Sequence, residues 1–257
     1  MIEINNSPRS AYLHIPFCHR RCFYCDFVIE PIGDSAHSKN EFVSRIINSY
    51  VDVLCREIKT SPKGPPLSTI YFGGGTPSLL SPFQVKKILD HLKEHFGFQD
   101  GLELTLEIDP GSFDEKSLNG YLESGFNRMS LGGQSFDNVV LKKLGRRHNP
   151  EDFKQACSLL NTAYKRGELL TWSLDLIQNL PDQKVITWRD QLKQAIETHA
   201  PHLSIYDLSV EPGTMFAEKH KKGHLNLPKE DLAIEISALT SATLKKEGFA
   251  RYEISNY

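Results

Sequence analysis

Residues 12–25 read Tyr12-Leu13-His14-Ile15-Pro16-Phe17-Cys18-His19-Arg20-Arg21-Cys22-Phe23-Tyr24-Cys25. The apolar run Ala11–Ile15 that leads into them has strand length, so the three thiols sit on a short loop directly after a first β-strand. Three is the informative number. A structural zinc site closes with four ligands, and the nearest extra donors, His14 and His19, do not stand at zinc-finger spacing. An iron–sulfur cubane held by three thiolates leaves one iron without a protein ligand, and that iron can chelate a substrate. Soft thiolates suit either zinc or iron–sulfur; the missing fourth ligand favours the cluster. The chain has five cysteines, and the other two, Cys55 and Cys157, lie inside apolar-periodic segments, where a free cysteine behaves as a small buried hydrophobe.

Beyond this loop, runs of strand length alternate with longer segments of helical period. That alternation predicts an α/β fold with a parallel sheet, closed into a barrel or left open. The strands are Ala11–Ile15, Thr69–Phe72, Leu102–Ile108, Arg128–Leu131, Trp172–Ile177 and His202–Leu208. Between them, Val85, Ile88, Leu89, Leu92 and Phe96 mark one helix, opened by Ser81 as N-cap and Pro82 at its first position. Phe42–Ile58 carries a second through Ile46, Ile47, Tyr50 and Leu54, and Leu232–Leu244 a third. Pro31–Ser38 and Ser61–Ser68 read as linkers, neither long enough to divide domains.

With 257 residues, 39% of them hydrophobic, the chain can bury a full core. Its 30 basic and 32 acidic residues leave a net charge of −2, which gives no reason to expect nucleic acid or an anionic membrane as partner. The first residues lack a basic and then apolar leader, and no stretch approaches the roughly 20 apolar residues of a transmembrane span. A cytoplasmic protein with reduced thiols is the expectation.

Other polar positions cluster at strand ends. Gly73-Gly74-Gly75-Thr76 after the second strand is a turn without side chains that lets a ligand approach the backbone, or a tight turn capped by Thr76. Glu107 and Asp109 close the third strand, where a parallel sheet presents ligands. Gly132-Gly133-Gln134 ends the fourth. Asp175 lies within an apolar strand and needs hydrogen-bond donors to offset its desolvation.

The C-x3-C-x2-C spacing of Cys18, Cys22 and Cys25 resembles the signature of the radical S-adenosylmethionine (SAM) superfamily. Together with Phe-Gly-Gly-Gly-Thr-Pro-Ser, Glu-Ile-Asp-Pro-Gly, Ser-Leu-Gly-Gly-Gln-Ser-Phe, Leu-Gly-Arg-Arg-His, Ser-Leu-Asp-Leu-Ile and Val-Glu-Pro-Gly-Thr, it is similar to the oxygen-independent coproporphyrinogen III oxidase-like group from about Tyr12 to Tyr257. Within that group the haem chaperone branch is nearest. The oxidases carry a further cysteine where this chain has Phe27, and the closing Arg-Tyr-Glu-Ile-Ser-Asn-Tyr also resembles the chaperones.

The resemblance implies a partial, three-quarter TIM-type (β/α)6 barrel over residues 10–250 of a core domain spanning 1–257. It implies a [4Fe-4S] cluster on Cys18, Cys22 and Cys25, and S-adenosyl-L-methionine held by Tyr12, Tyr24, Gly74, Gly75, Thr76, Glu107, Gln134, Arg146 and Asp175. Glu107 would accept from ribose hydroxyls, and Arg146 would meet the methionine carboxylate. Implied partners are haem, an apo-haemoprotein recipient and an electron donor of flavodoxin type. Three functions follow: haem transfer, oxidative decarboxylation of coproporphyrinogen III, which the absent thiol at Phe27 argues against, and a cluster-binding core with neither activity.

Two positions depart from the pattern. Gln178-Asn179-Leu180-Pro181 stands where the group reads Tyr-Gly-Leu-Pro, and the chaperones' haem-binding His-Asn-x-x-Tyr-Trp motif is not among these residues, whose two tryptophans are Trp172 and Trp188. A core that binds S-adenosylmethionine, but haem only weakly, is the expectation.

Overall fold

The computed structural model describes residues 9–33 and 41–257. In chain order the strands are β1 (Ser10–Ile15), β2 (Phe17–Cys18), β3 (Glu30–Pro31), β4 (Leu67–Gly74), β5 (Phe98–Ile108), β6 (Arg128–Gln134), β7 (Thr171–Gln178) and β8 (His202–Asp207). The helices are α1 (Glu41–Thr60), α2 (Pro82–Phe96), α3 (Glu115–Glu123), α4 (Asn138–Leu144), α5 (Pro150–Lys165), α6 (Val185–Glu197), α7 (Met215–Lys221) and α8 (Glu230–Lys246).

Six strands form one parallel sheet in the order β1-β4-β5-β6-β7-β8. Every neighbour in that order is also the next long strand along the chain, with helix between, so the winding never reverses. A doubly wound sheet has a reversal point; this one has none. All six strands expected from the sequence are present, most of them longer than their apolar runs. β6 continues through Gly132 and Gly133 to Gln134, because backbone pairing does not need side chains.

The described residues fall into two compact units. The first comprises residues 9–20, 28–33, 41–108 and 112–129, and the second 21–27, 109–111 and 130–257. In the first, β1 and β4 run parallel with Leu13 opposite Phe72 and Ile15 opposite Gly74. Helix α2 begins as its sequence predicts: Ser81 and Gln84 form a reciprocal capping box, Pro82 opens the helix, and Val85, Ile88, Leu89 and Leu92 are buried. In α1 the buried stripe is Val43, Ile47, Val51, Cys55 and Ile58, so Ile46, Tyr50 and Leu54 lie on its flank rather than at its centre. Adjacent apolar residues left the angular centre of the stripe ambiguous, and packing resolved it.

Cys18 is not on a loop. It belongs to β2, which pairs with β3 through Phe17 opposite Glu30 and Cys18 opposite Pro31. Two-residue strands carry no periodicity, so this pair was invisible in the sequence. It also takes Pro31 out of the expected linker, the rest of which, from residue 34 on, lies outside the described residues.

In the second unit β7 pairs with β8 in parallel, Asp175 opposite Ser204. Ser255–Tyr257 then run antiparallel along β8: Leu203 and Tyr257 exchange backbone hydrogen bonds of 3.0 and 2.9 Å, and the Ile205 N–H donates to Ser255 O. This satisfies groups that β8 would otherwise present unpaired. Helix α5 is opened by Asn149 and Asp152 in a second capping box and buries Cys157 in its apolar stripe. Among the described residues no helix is long and apolar enough to cross a membrane.

Candidate cofactor site

In the first unit the site residues gather where β1, β4 and β5 lie side by side. Tyr71 projects from β4 and donates its hydroxyl to Glu107 Oε1 at 2.8 Å, while the Gly74 N–H donates to Glu107 Oε2 at 3.0 Å. Both oxygens of the expected ribose acceptor therefore already accept a protein hydrogen bond. Tyr12 stacks on Tyr71 with ring centroids 6.1 Å apart and stays largely exposed. Partial burial, and then the Glu107 charge, raise its phenol above the ordinary range.

The glycine turn has a packing reason. A Cβ on Gly74 would come within 2.6 Å of the His14 ring, and one on Gly75 within 2.7 Å of the Phe17 carbonyl oxygen. Gly74 also has a φ of +111°, which side-chain-bearing residues rarely adopt. Thr76 does not cap the 3-10 turn that follows with its side chain; its hydroxyl points to Cys18 Sγ at 3.5 Å.

In the second unit the centre is Arg146. It forms an ion pair with Asp109, donates to Gly132 O at 2.7 Å, reaches Cys22 Sγ at 3.7 Å, and shares a side-chain hydrogen bond with Tyr24. Arg146 and Asp109 are both mostly buried, so the pair is tolerable only because further hydrogen bonds accompany it. Tyr24 has its phenol pushed strongly up, first by burial and then by Cys22, with Arg146 opposing. Burial likewise raises the Cys25 thiol, and the Phe27 backbone hydrogen bond counters it in part. His148 is buried against this group and hydrogen-bonds Gly133 O at 3.1 Å. Its Nδ1 lies 3.7 Å from Asp109, but that carboxylate is committed to Arg146. Burial and the Arg146 charge hold the imidazole down to about 3, so it is neutral at ordinary pH.

Asp175 receives the Ser130 hydroxyl on Oδ2 at 2.9 Å, and Ser130 in turn receives that of Ser173 at 2.9 Å. The donor expected from a cofactor is thus supplied, on that oxygen, by the protein. Gln134 is buried with a φ of 60°, and its Oε1 has no hydrogen-bond partner among the described residues. A buried amide acceptor left in this way costs free energy that a ligand donor would recover.

The donor set suits an iron–sulfur cluster. All five cysteines are free thiols; Cys18, Cys22 and Cys25 are partly accessible, whereas Cys55 and Cys157 are buried, with burial pushing Cys157 up to about 12. Thr76 points a donor at Cys18 Sγ and Arg146 one at Cys22 Sγ. Among the described residues no group of three or more His, Cys, Asp or Glu side chains is arranged to hold a metal ion. That geometry concerns a single ion, whereas the thiolates of a cubane sit on separate irons.

Sequence reading passed over Tyr71, Ser130 and His148, and it singled out Asp109 and Arg146 without pairing them. These residues brace the site through contacts that no spacing reveals.

The family profile described as the radical SAM superfamily matches residues 12–192. The chain is 41% identical to the haem chaperone HemW of Synechocystis over 251 residues, which are 97% of this chain and 59% of that protein. It is 35% identical to HemW of Escherichia coli, covering 97% of this chain and 62% of that one. It therefore spans about three-fifths of the length of these curated relatives. Among solved structures, coproporphyrinogen III oxidase (HemN) of Escherichia coli, a radical SAM enzyme, superposes with a TM-score of 0.83 at 28% identity, over 99% of this chain and 56% of the other.

Proposed function

The chain belongs to the radical SAM superfamily, whose cofactors are a [4Fe-4S] cluster and S-adenosylmethionine, and from that premise we propose that it serves as a haem chaperone. In this reading Cys18, Cys22 and Cys25 hold the cluster, the residues around Glu107, Arg146 and Asp175 hold S-adenosylmethionine, and haem is passed to an apo-haemoprotein. The observation that carries it is the 41% identity to a haem chaperone across nearly the whole chain. The exposed Phe27, at the position where the oxidases have a further cysteine, agrees with it.

When bound, the cluster and S-adenosylmethionine together supply one-electron cleavage of a carbon–sulfur bond. This chain's own residues bind and orient. Arg146, fixed by Asp109 and Gly132 O, keeps positive charge beside Cys22. Glu107, braced by Tyr71 and Gly74, accepts from hydroxyl donors. Asp175, braced by Ser130, does the same, and Gln134 presents an unsatisfied acceptor. His148 stays neutral and does not compete with Arg146 for Asp109.

A second reading, coproporphyrinogen oxidation, is favoured by the likeness to HemN. Anaerobic reconstitution should yield about four irons and four sulfides per chain. The reconstituted chain, and a fusion extending it with the remaining C-terminal part of the Synechocystis relative, are then titrated with haem and assayed with coproporphyrinogen III. Haem bound by the fusion and passed to apo-myoglobin, without decarboxylation, is the expected result. Decarboxylation by either protein would replace this reading with the oxidase.

A further inference from the structure

Phe23 stands between two of the three clustered thiols, Cys22 and Cys25, and is gripped from both sides. Its N–H donates to Leu144 O at the end of α4 at 2.9 Å, and its carbonyl accepts from the Phe216 N–H of α7 at 2.9 Å. Lys219 Nζ lies 5.3 Å from the centroid of its ring. The packing on Gly145 is so close that a Cβ there would come 2.9 Å from the ring. Helices α4 and α7 are therefore the elements that abut this part of the thiol segment.

Both carry lysines outward. Five of the six residues 219–224 are Lys or His: Lys219, His220, Lys221, Lys222 and His224, all but Lys219 exposed. Lys142 and Lys143 are exposed at the end of α4. Basic residues in a last helical turn complement the helix dipole, which accounts for some of these. Lys222 is the C-cap of α7, and His224 lies beyond the helix, where that explanation lapses. The nearby acids offset part of this charge. Glu218 pairs with Lys221 and Asp182 with Lys143, each at 3.1 Å and exposed, and Asp26 lies on the thiol segment itself. In a chain of net charge −2, this is a local concentration of positive charge.

We propose that the exposed basic surface of α7, the turn after it and the end of α4 is the docking site of an acidic electron-carrier protein, one bearing a flavin or an iron–sulfur centre. The proposal rests on the reading that Cys22 and Cys25 hold the cluster. The transfer is one electron: the reduced carrier loses it, the oxidised cluster gains it, and no bond or proton moves. Such encounters are brief and small, and opposite surface charge sets their rate and orientation more than their strength. A positive face against the thiol segment meets that requirement.

The test titrates the reconstituted chain with an acidic bacterial flavodoxin, at low and high salt, and follows reduction of the cluster by its absorbance after rapid mixing. Lys221→Glu/Lys222→Glu should weaken binding and slow reduction by roughly tenfold at low salt, and the difference should disappear at high salt. Iron content should be unchanged, which separates this proposal from failure of the cluster assignment. Lys245→Glu/Lys246→Glu, at the far end of α8, is the control and should bind as the parent does. Equal losses in both double variants, or none in the first, would overturn the proposal. So would unchanged flavodoxin binding by the first variant together with loss of binding to phosphatidylserine vesicles, which would assign the surface to a membrane.

Discussion

The glycine turn after β4 and the arginine group after α4 hold their polar atoms by opposite means. Around Gly73–Thr76 the work is done by backbone: the Gly74 N–H binds Glu107, and the space a side chain would need is filled by His14 and by the main chain of Pro16 and Phe17. Around Arg146 it is done by side chains brought from far apart, Asp109 37 residues away and Cys22 124 residues away. The first arrangement is rigid and intolerant of added volume. The second tolerates shape but depends on charge being matched.

The largest effect expected is common to both regions. Replacing Cys18, Cys22 or Cys25 by Ala should abolish iron retention after anaerobic reconstitution, while Cys55→Ala and Cys157→Ala should keep it. Iron retained by all three single variants, or zinc in place of iron, would show that the thiols serve another purpose.

Gly75→Ala probes the backbone-built region. The added methyl meets main-chain atoms that cannot rotate away, so urea unfolding should show a loss of roughly 3 kcal/mol. Asp109→Asn probes the other region by leaving the Arg146 charge less compensated, and should cost about 2 kcal/mol in the same measurement, below the range for a fully buried pair because both groups keep some exposure. If Asp109→Asn proved the costlier, the contrast between the two regions would be reversed.

Glu107→Ala and Asp175→Ala, one in each compact unit, should each weaken S-adenosylmethionine binding by about 1–3 kcal/mol, read by calorimetry on the cluster-loaded protein. Unchanged binding in both would reduce the two carboxylates to braces for Gly74 and Ser130.

The remaining effect is a pH dependence, which is small near neutral pH and grows as the medium is acidified. In the unfolded chain His148 takes a proton below about pH 6.5, whereas the folded protein resists it down to about 3. The unfolded state binds more protons within that window, so stability falls as pH falls through it, by roughly 2 kcal/mol at pH 5. His148→Gln, which can still donate to Gly133 O, should remove this part of the slope of unfolding free energy against pH. An unaltered slope would assign the acid sensitivity to the carboxylates.

Much of the architecture was legible beforehand because it is local. The six strands followed from apolar runs, and α2 from Ser81, Pro82 and a clean periodicity. The β2–β3 pair was not, since two residues have no period, and neither was the centre of the α1 stripe, since neighbouring isoleucines suit more than one face. The residues that brace the site were illegible for a different reason. Tyr71, Ser130 and His148 are ordinary strand and turn residues whose importance lies wholly in what they touch.

By itself the sequence determined the thiol spacing, the side-chain-free turns and the alternation of strand and helix, because each is a property of residues within a few positions of one another. Only the tertiary structure decided that Asp109 would neutralise Arg146, that Ser130 would supply a donor to Asp175, and that α4 and α7 would close on Phe23. Those contacts join segments separated by tens of residues, and chain folding alone brings such segments within hydrogen-bond reach.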